Sequence, residues 1–310
     1  MTSSTSTQPP AIPAKRVAST RNWFSVAGRW AFVAPVLILN LIVVVIPSAI
    51  GLAVAFTDWS GIGAANFIGL DNFERLFSDD VFFKALKNNL IWTGMFLIIP
   101  VSLGLLGAYM LAGIKRGQMI FRVIYFIPYV MASVVNAQVW RFLLHHRVGI
   151  GPWLAENGIT DILDIAVFGK KETALYAVAF VDNWHFWGFL LVLYLAAMSA
   201  VDPILYEVAR LAGANRFQQF RYVTLPSIRP TLVFTLLMIL IWSGTIFDYV
   251  FMLTQGKPAH ASEVMGTYLY NQAFSRFDAG YGAAIGVMMT LWVGFAVGGF
   301  VTLRRRGWEI

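Results

Sequence analysis

Residues 202–230 read DPILYEVARLAGANRFQQFRYVTLPSIRP, a long polar interruption in an otherwise apolar chain. Asp202 followed by Pro203 is an N-cap with proline at the first helical position. Gly213 falls where a helix ends in a left-handed residue. Asn215 and Gln218 have capping-box spacing and restart a helix, and Pro226 and Pro230 bracket the start of the next apolar run. The stretch therefore predicts two short helices around a glycine. A segment that only joins two membrane spans needs no such construction, although a surface helical hairpin without a partner fits these signals too.

Working outward, the 310 residues are 58% hydrophobic and 13% charged, against about 25% charged in a soluble domain. This is the composition of a polytopic membrane protein. The net charge of +7 is scattered over the connections, which argues against a nucleic-acid-binding face. No cysteine is present, so disulfides, thiolate metal sites and cysteine nucleophiles are excluded. Six apolar runs, near 30–56, 88–111, 119–144, 176–200, 230–254 and 281–303, each reach the roughly 20 residues that span a hydrocarbon core. The expected fold is all-α, a polytopic membrane protein with six transmembrane helices in a domain over 30–303. Residues 1–29, rich in Ser, Thr and Pro with no acid, read as a disordered tail. The run after Arg29 is too long for a signal-peptide core and lacks a small-residue cleavage site. Residues 304–310 form a short C-terminus.

Fourteen of the 23 Lys and Arg residues lie on the side that holds the N-terminal tail, the second-to-third connection, the 201–229 loop and the C-terminus. The positive-inside rule places that side, with both termini, in the cytoplasm.

The resemblance rests on the loop. Glu207-Val208-Ala209, three residues, Gly213, nine residues and then Val223-Thr224-Leu225-Pro226 resembles the Glu-Ala-Ala loop of bacterial ABC importer permeases. Leu205-Tyr206-Glu207, Ala212-Gly213-Ala214 and Phe220-Arg221 are similar to the carbohydrate-uptake branch, the maltose-type and multiple-sugar-type permeases. The resemblance implies that the 201–229 loop is a coupling helix docking on a separate ATPase, through Glu207, Val208, Ala209, Gly213, Leu225 and Pro226. Val208 stands where the family has alanine, and its bulk alters the fit. It further implies a bacterial cytoplasmic membrane, a second permease subunit (a hetero-pair, because the N-terminal extension resembles that of first-type subunits) and two cytoplasmic ATPases carrying ATP and Mg. An external solute-binding protein and a sugar or oligosaccharide moved by alternating access complete the expectation. Asp58-Trp59 to Phe73, Phe247 to Pro258 and Tyr268 to Tyr281 resemble the same branch. Lys257 replaces the second glycine of its Thr-x-Gly-Gly-Pro stretch, which weakens the expectation of a tight turn.

Enzyme signatures are absent. There is no G-x-x-x-x-G-K-[ST], no H-E-x-x-H and no G-x-S-x-G, so the chain reads as non-enzymatic, without a cofactor of its own. His145-His146 has no partner at metal-ligand spacing, and adjacent helical residues point apart. Gly149 to Gly158 reads as an external turn with a short helix. Two acids lie within apolar runs. Asp182, beside Trp184, His185 and Trp187, reads as a hydrated acid among an interfacial aromatic belt. At 100° per residue, Trp242, Thr245, Asp248 and Tyr249 share an arc of about 120°, opposite Leu236, Ile239, Leu240, Ile246 and Val250. That face is either a sugar path or polar glue between helices. Gly282/Gly286 and Gly294/Gly298 have close-packing spacing. An ion-coupled secondary transporter using Asp182 and Asp248 is the rival reading, and a permease for a non-sugar solute such as glycerol phosphate stays open.

The orientation is testable because no native thiol interferes. Single cysteines at Ser60, Gly158 and Ala261 are expected to label from outside intact cells, and those at Ser19, Gly117 and Gln219 only after permeabilisation. External labelling at Gln219 overturns the orientation.

Overall fold

The computed structural model of the chain describes residues 23–114, 116–159 and 166–305, leaving aside the side chains of residues 23–29 and 303. The tail 1–22, Lys115 and residues 306–310 lie outside the described residues. Two compact units result, one ending at Ile50 and one beginning at Gly51.

The first unit holds α1 (Trp23–Asn40), a π-helical turn (Leu41–Val45) and the start of α2 (Ile46–Val54). The tail expected to lack order up to residue 29 is thus helical from Trp23. None of Trp30–Val54 is buried, as suits a helix whose apolar surface meets lipid on all sides.

The second unit contains α3 (Asp71–Phe77), α4 (Asp80–Ala112), α5 (Gln118–Val130), α6 (Ser133–Leu143), α7 (Ile150–Glu156) and α8 (Ala174–Ser199). Then come α9 (Pro203–Leu211), α10 (Arg216–Gln219), α11 (Leu225–Ser227), α12 (Arg229–Gly244), α13 (Asp248–Leu253), α14 (Met265–Tyr270) and α15 (Ala279–Arg305). Among the described residues the β structure amounts to an isolated bridge between Thr57 and Phe67. Among the described residues four helices are long and apolar enough to cross a membrane, Trp30–Val54, Asp80–Ala112, Ala174–Ser199 and Ala279–Thr302. The total reaches six only if two bent pairs each count as one span.

Those pairs change the sequence reading. Run 119–144 is not one rod: α5 and α6 meet at 94°, where Met131 turns extended one residue past α5. Pro128 in the last turn of α5 removes a backbone donor and weakens the helix there. Run 230–254 breaks after Gly244, with Thr245–Phe247 separating α12 from α13. A further bend of 69° separates residues 216–227 from α12.

Missing side chains let the central helices touch. A Cβ at Gly104 of α4 would lie 2.9 Å from Leu190 Cβ of α8, and one at Gly107 would lie 2.4 Å from Leu191 Cδ1. A Cβ at Gly188 would fall 1.8 Å from the Tyr125 carbonyl oxygen of α5. The core grows from that contact through Trp92, Phe96, Phe186, Leu190, Tyr194 and Ile239. A Cβ at Gly282 or Gly286 of α15 would meet Ala273 or Leu269, whereas one at Gly294 or Gly298 would meet nothing within 4 Å among the described residues. The packing expected of all four glycines thus holds within the chain for the first pair.

A second core lies between α3, α4, α14 and α15, around Leu76, Phe82, Met265 and Ile285. Asp79 caps α4 through the amides of Val81 and Phe82, and its carboxylate also accepts the hydroxyls of Tyr268 and Tyr281. Arg75 lies 2.6 Å from Asp278 and 4.0 Å over the Tyr281 ring. Burial works to raise the Asp79 pKa, but these hydrogen bonds outweigh it and hold the carboxyl below its ordinary value. Its stabilising contribution is therefore present above about pH 3.9, the unfolded value, and is lost as pH falls through the lower folded one. Beyond α13, Gln255 (φ 54) and Gly256 (φ 79) form a tight turn despite Lys257, closed by Lys257 N–H to the Thr254 carbonyl at 3.0 Å.

Gly188→Ala is expected to destabilise the purified protein by more than the about 1–3 kcal/mol of ordinary overpacking, since its methyl meets backbone. Gly294→Ala is expected to leave the unfolding free energy within about 0.5 kcal/mol of wild type. Equal melting temperatures by intrinsic fluorescence overturn this account of the α5–α8 contact.

Candidate functional site

Both helix interruptions open on one cavity of about 320 Å³. Trp92 and Phe96 of α4, and Asp182, His185 and Phe186 of α8, form two of its walls. Tyr129 and Ser133 come from either side of the α5–α6 bend, and Trp242, Ser243 and Thr245–Tyr249 from the α12–α13 break. A broken helix frees backbone groups that apolar surroundings cannot satisfy, so irregular backbone is tolerated only against protein or a wet cavity.

The side chains that satisfy it can be named. Asn89 of α4 donates to the Ser243 carbonyl at 2.6 Å and accepts from Met265 N–H at 2.9 Å. Thr93 donates to Ser243 Oγ at 2.8 Å, and Trp292 Nε1 donates to the Leu240 carbonyl at 2.9 Å. Trp292 has room because Gly244 lacks a side chain: a Cβ there would lie 2.1 Å from its Cδ1. At the other bend His185 Nε2 lies 3.3 Å from the Met131 carbonyl. Asn136 of α6 donates to Tyr249 Oη of α13 at 2.9 Å, tying the two breaks together.

Trp242, Thr245, Asp248 and Tyr249, proposed from one face of a continuous helix, all line this cavity. They meet there for another reason, since the helix is interrupted between Thr245 and Asp248, and Ile246, assigned to the opposite arc, lines the cavity as well. Tyr249 is 3% exposed and serves as a brace, while Trp242 is 45% exposed and offers its ring to the cavity. Asp182 is not a hydrated interfacial acid. It is 8% exposed, and with His185 and Phe186 it occupies the cavity-facing side of α8. Sequence reasoning missed that wall, although the i, i+3, i+4 spacing of the three residues signals a shared face. Trp92, Phe96, Tyr129 and Ser133 carried no such signal. Among the described residues no protein group hydrogen-bonds the carboxylate of Asp182 or Asp248.

His145 and His146 lie beyond the end of α6 with stacked rings, centroids 4.9 Å apart, and do not point apart as helical neighbours do. Among the described residues no cluster of three or more His, Cys, Asp or Glu groups forms.

The 201–229 loop folds as its caps dictate. Asp202 accepts from Ile204 N–H, the Asn215–Gln218 capping box is closed in both directions, and Gly213 is left-handed with φ 79. Glu207 and Val208 are exposed and Ala209 is half-buried on α9, while Leu225 and Pro226 lie in α11. Ile204, Leu205, Val208 and Leu211 expose an apolar strip along α9. A Tyr206–Thr224 hydroxyl pair at 3.0 Å ties the two ends of the loop to each other, and Tyr109 of α4, edge-on to Phe220 with centroids 4.9 Å apart, fixes the loop to the bundle.

Apolar helices broken around an aromatic-walled cavity are the layout of a membrane transporter. No protein-family model matches the sequence. The chain is 32% identical over 265 residues to the probable ABC transporter permease YurN of Bacillus subtilis (strain 168), spanning 84% of this chain and 90% of that protein. It is 32% identical over 271 residues to the diacetylchitobiose uptake system permease NgcF of Streptomyces coelicolor, spanning 84% and 77%. A chain of the bacterial alginate ABC transporter, solved with an alginate pentasaccharide-bound periplasmic protein, superposes with a TM-score of 0.81 at 26% identity, covering 93% of this chain and 99% of that one. The protein belongs to the ABC transporter permeases, in their carbohydrate-uptake branch.

Asn89→Ala is expected to lower the unfolding free energy, because a buried carbonyl and a buried amide each lose a partner worth about 1–3 kcal/mol. Asn89→Asp, which keeps the acceptor for Met265 N–H, is expected to fall between. Wild-type melting of Asn89→Ala in detergent overturns the role assigned to this side chain.

Proposed function

We propose that this chain is the permease subunit of an ATP-driven importer and moves a sugar or oligosaccharide inward by alternating access. The observation that carries the reading is the layout of α12: one end continues from the 201–229 loop, and the other ends at the break that lines the cavity. Displacement of such a loop by a partner is transmitted along a rigid 16-residue helix to the cavity wall, a small input amplified at a bistable element. The exposed ring of Trp242 offers a face to sugar C–H groups, and Ser133, Thr245 and Asp248 offer polar partners to hydroxyls. The names of NgcF and of the alginate transporter support a carbohydrate cargo and an external binding protein.

In this reading ATP and Mg belong to two separate cytoplasmic ATPase subunits, because no phosphate-cradling motif occurs in this sequence. The exposed apolar strip of α9, unusual on a free surface, is the docking face, with Glu207, Val208, Ala209, Gly213, Leu225 and Pro226 at the contact. A second, non-identical permease subunit completes the path. The loop and both termini face the cytoplasm of a bacterial inner membrane, in keeping with the distribution of Lys and Arg. The ion-coupled reading keeps one supporting observation, the two acids in the cavity wall.

The test is uptake of labelled neutral disaccharides by proteoliposomes of the assembled complex. Glu207→Ala and Gly213→Asp are expected to cut ATP-driven uptake about tenfold or more and to weaken ATPase recovery in a pull-down, with insertion intact. A buried charge pair that loses one member costs about 3–5 kcal/mol. Trp242→Ala is expected to cut uptake with assembly and ATP hydrolysis retained, and Asp248→Asn to hurt less than Asp248→Leu. Uptake that follows an ion gradient without ATP, with Asn as damaging as Leu, establishes the rival instead.

A further inference from the structure

Among the described residues the cavity wall carries two carboxyl groups, Asp182 from α8 and Asp248 from the start of α13, and neither lysine nor arginine. Its one basic side chain is His185, half-buried and directed at the Met131 carbonyl. Neither carboxyl group has a protein hydrogen-bond donor among the described residues; a buried acid without one keeps its proton, so the negative charge of the wall rests on the exposed Asp248, and no protein cation in the wall offsets it. The rest of the wall is aromatic rings, hydroxyls and Ile246, which accept a neutral polar ligand but supply no fixed positive charge. A cleft of one sign between low-dielectric walls concentrates its field on whatever enters. An anionic ligand there meets like charge and finds no cation to replace its lost hydration.

Resting on the transport reading above, we propose that this cavity selects cargo by charge: it takes neutral or amino-bearing glycosides and excludes uronates and phosphorylated solutes. The fold does not decide this preference. The superposable transporter imports an acidic polysaccharide, so the discrimination lies in the side chains of the wall. The same inference removes glycerol phosphate from the candidate cargoes.

The native chain contains no cysteine, which permits a direct probe of the field. Ser133→Cys and Thr245→Cys, each in the assembled complex in membrane vesicles, are reacted with a cationic trimethylammonium and an anionic sulfonate methanethiosulfonate of matched size. Rates are read by mass on this subunit and divided by those of a small free thiol. The expected normalised cation-to-anion ratio is about tenfold or more, within the range by which charged clefts concentrate counter-ions. It is expected to fall toward one with Asp248→Asn combined with Asp182→Asn. A ratio of one or below in the otherwise native chain overturns the proposal, as does failure of both thiols to react, since the cavity is then closed to solutes. Should the double variant not assemble, the ratio in the single-cysteine chains decides. A separate arm tests the transport reading: blocking Thr245→Cys with a bulky neutral maleimide is expected to stop disaccharide uptake. Unchanged uptake sinks the path assignment whatever the charge ratio.

Discussion

Backbone hydrogen bonds that cannot be lost to lipid govern this structure. A helix can stop inside an apolar layer only if other groups take over its freed amides and carbonyls, each unsatisfied one costing several kcal/mol. At the α12–α13 break Asn89 and Trp292 do this, and at the α5–α6 bend His185 does. These side chains come from α4, α8 and α15. The breaks are thus properties of the packed bundle, and so is the cavity they enclose.

That packing depends on the places where side chains are missing. Gly104, Gly107 and Gly188 let α4, α5 and α8 approach until backbone meets side chain or backbone. Without a hydrophobic driving force between helices in lipid, such close van der Waals contact is the main attraction available. Once α4 is fixed on α8, Asn89 reaches the carbonyl of Ser243, and Tyr109 on the same helix reaches Phe220 in the loop. One rod therefore braces both the cavity and the polar segment some five turns away, which makes the loop a fixed feature of the bundle.

The two carboxylates show how burial changes a residue's meaning. Asp182 reads as an interfacial acid when its neighbours in sequence are Trp184 and Trp187. In the folded chain it shares a cavity wall with Asp248, Trp242 and Ser133, brought from segments far apart in sequence. The stacked rings of His145 and His146 make the same point on a smaller scale, because their relation is set by the chain leaving α6 and not by helical rotation.

The sequence by itself determined what depends on local chemistry. Apolar composition dictated membrane-spanning helices, and Asp202, Gly213, Asn215 and Gln218 dictated the loop's two helices, since caps act within four residues of themselves. The loop's motif also sufficed to identify the family. What only the tertiary structure decided is where the spans break and what faces the cavity. Trp242, Thr245, Asp248 and Tyr249 were legible as a group, but by a helical rotation that the break at Thr245–Phe247 interrupts. Trp92, Phe96, Tyr129 and Ser133 were not legible at all. Inside lipid every face of a helix is apolar, so periodicity carries little information about which residues point inward. Continuity of a helix there is settled by hydrogen-bond partners more than a hundred residues away, such as Asn89 for Ser243, which local pattern cannot reveal.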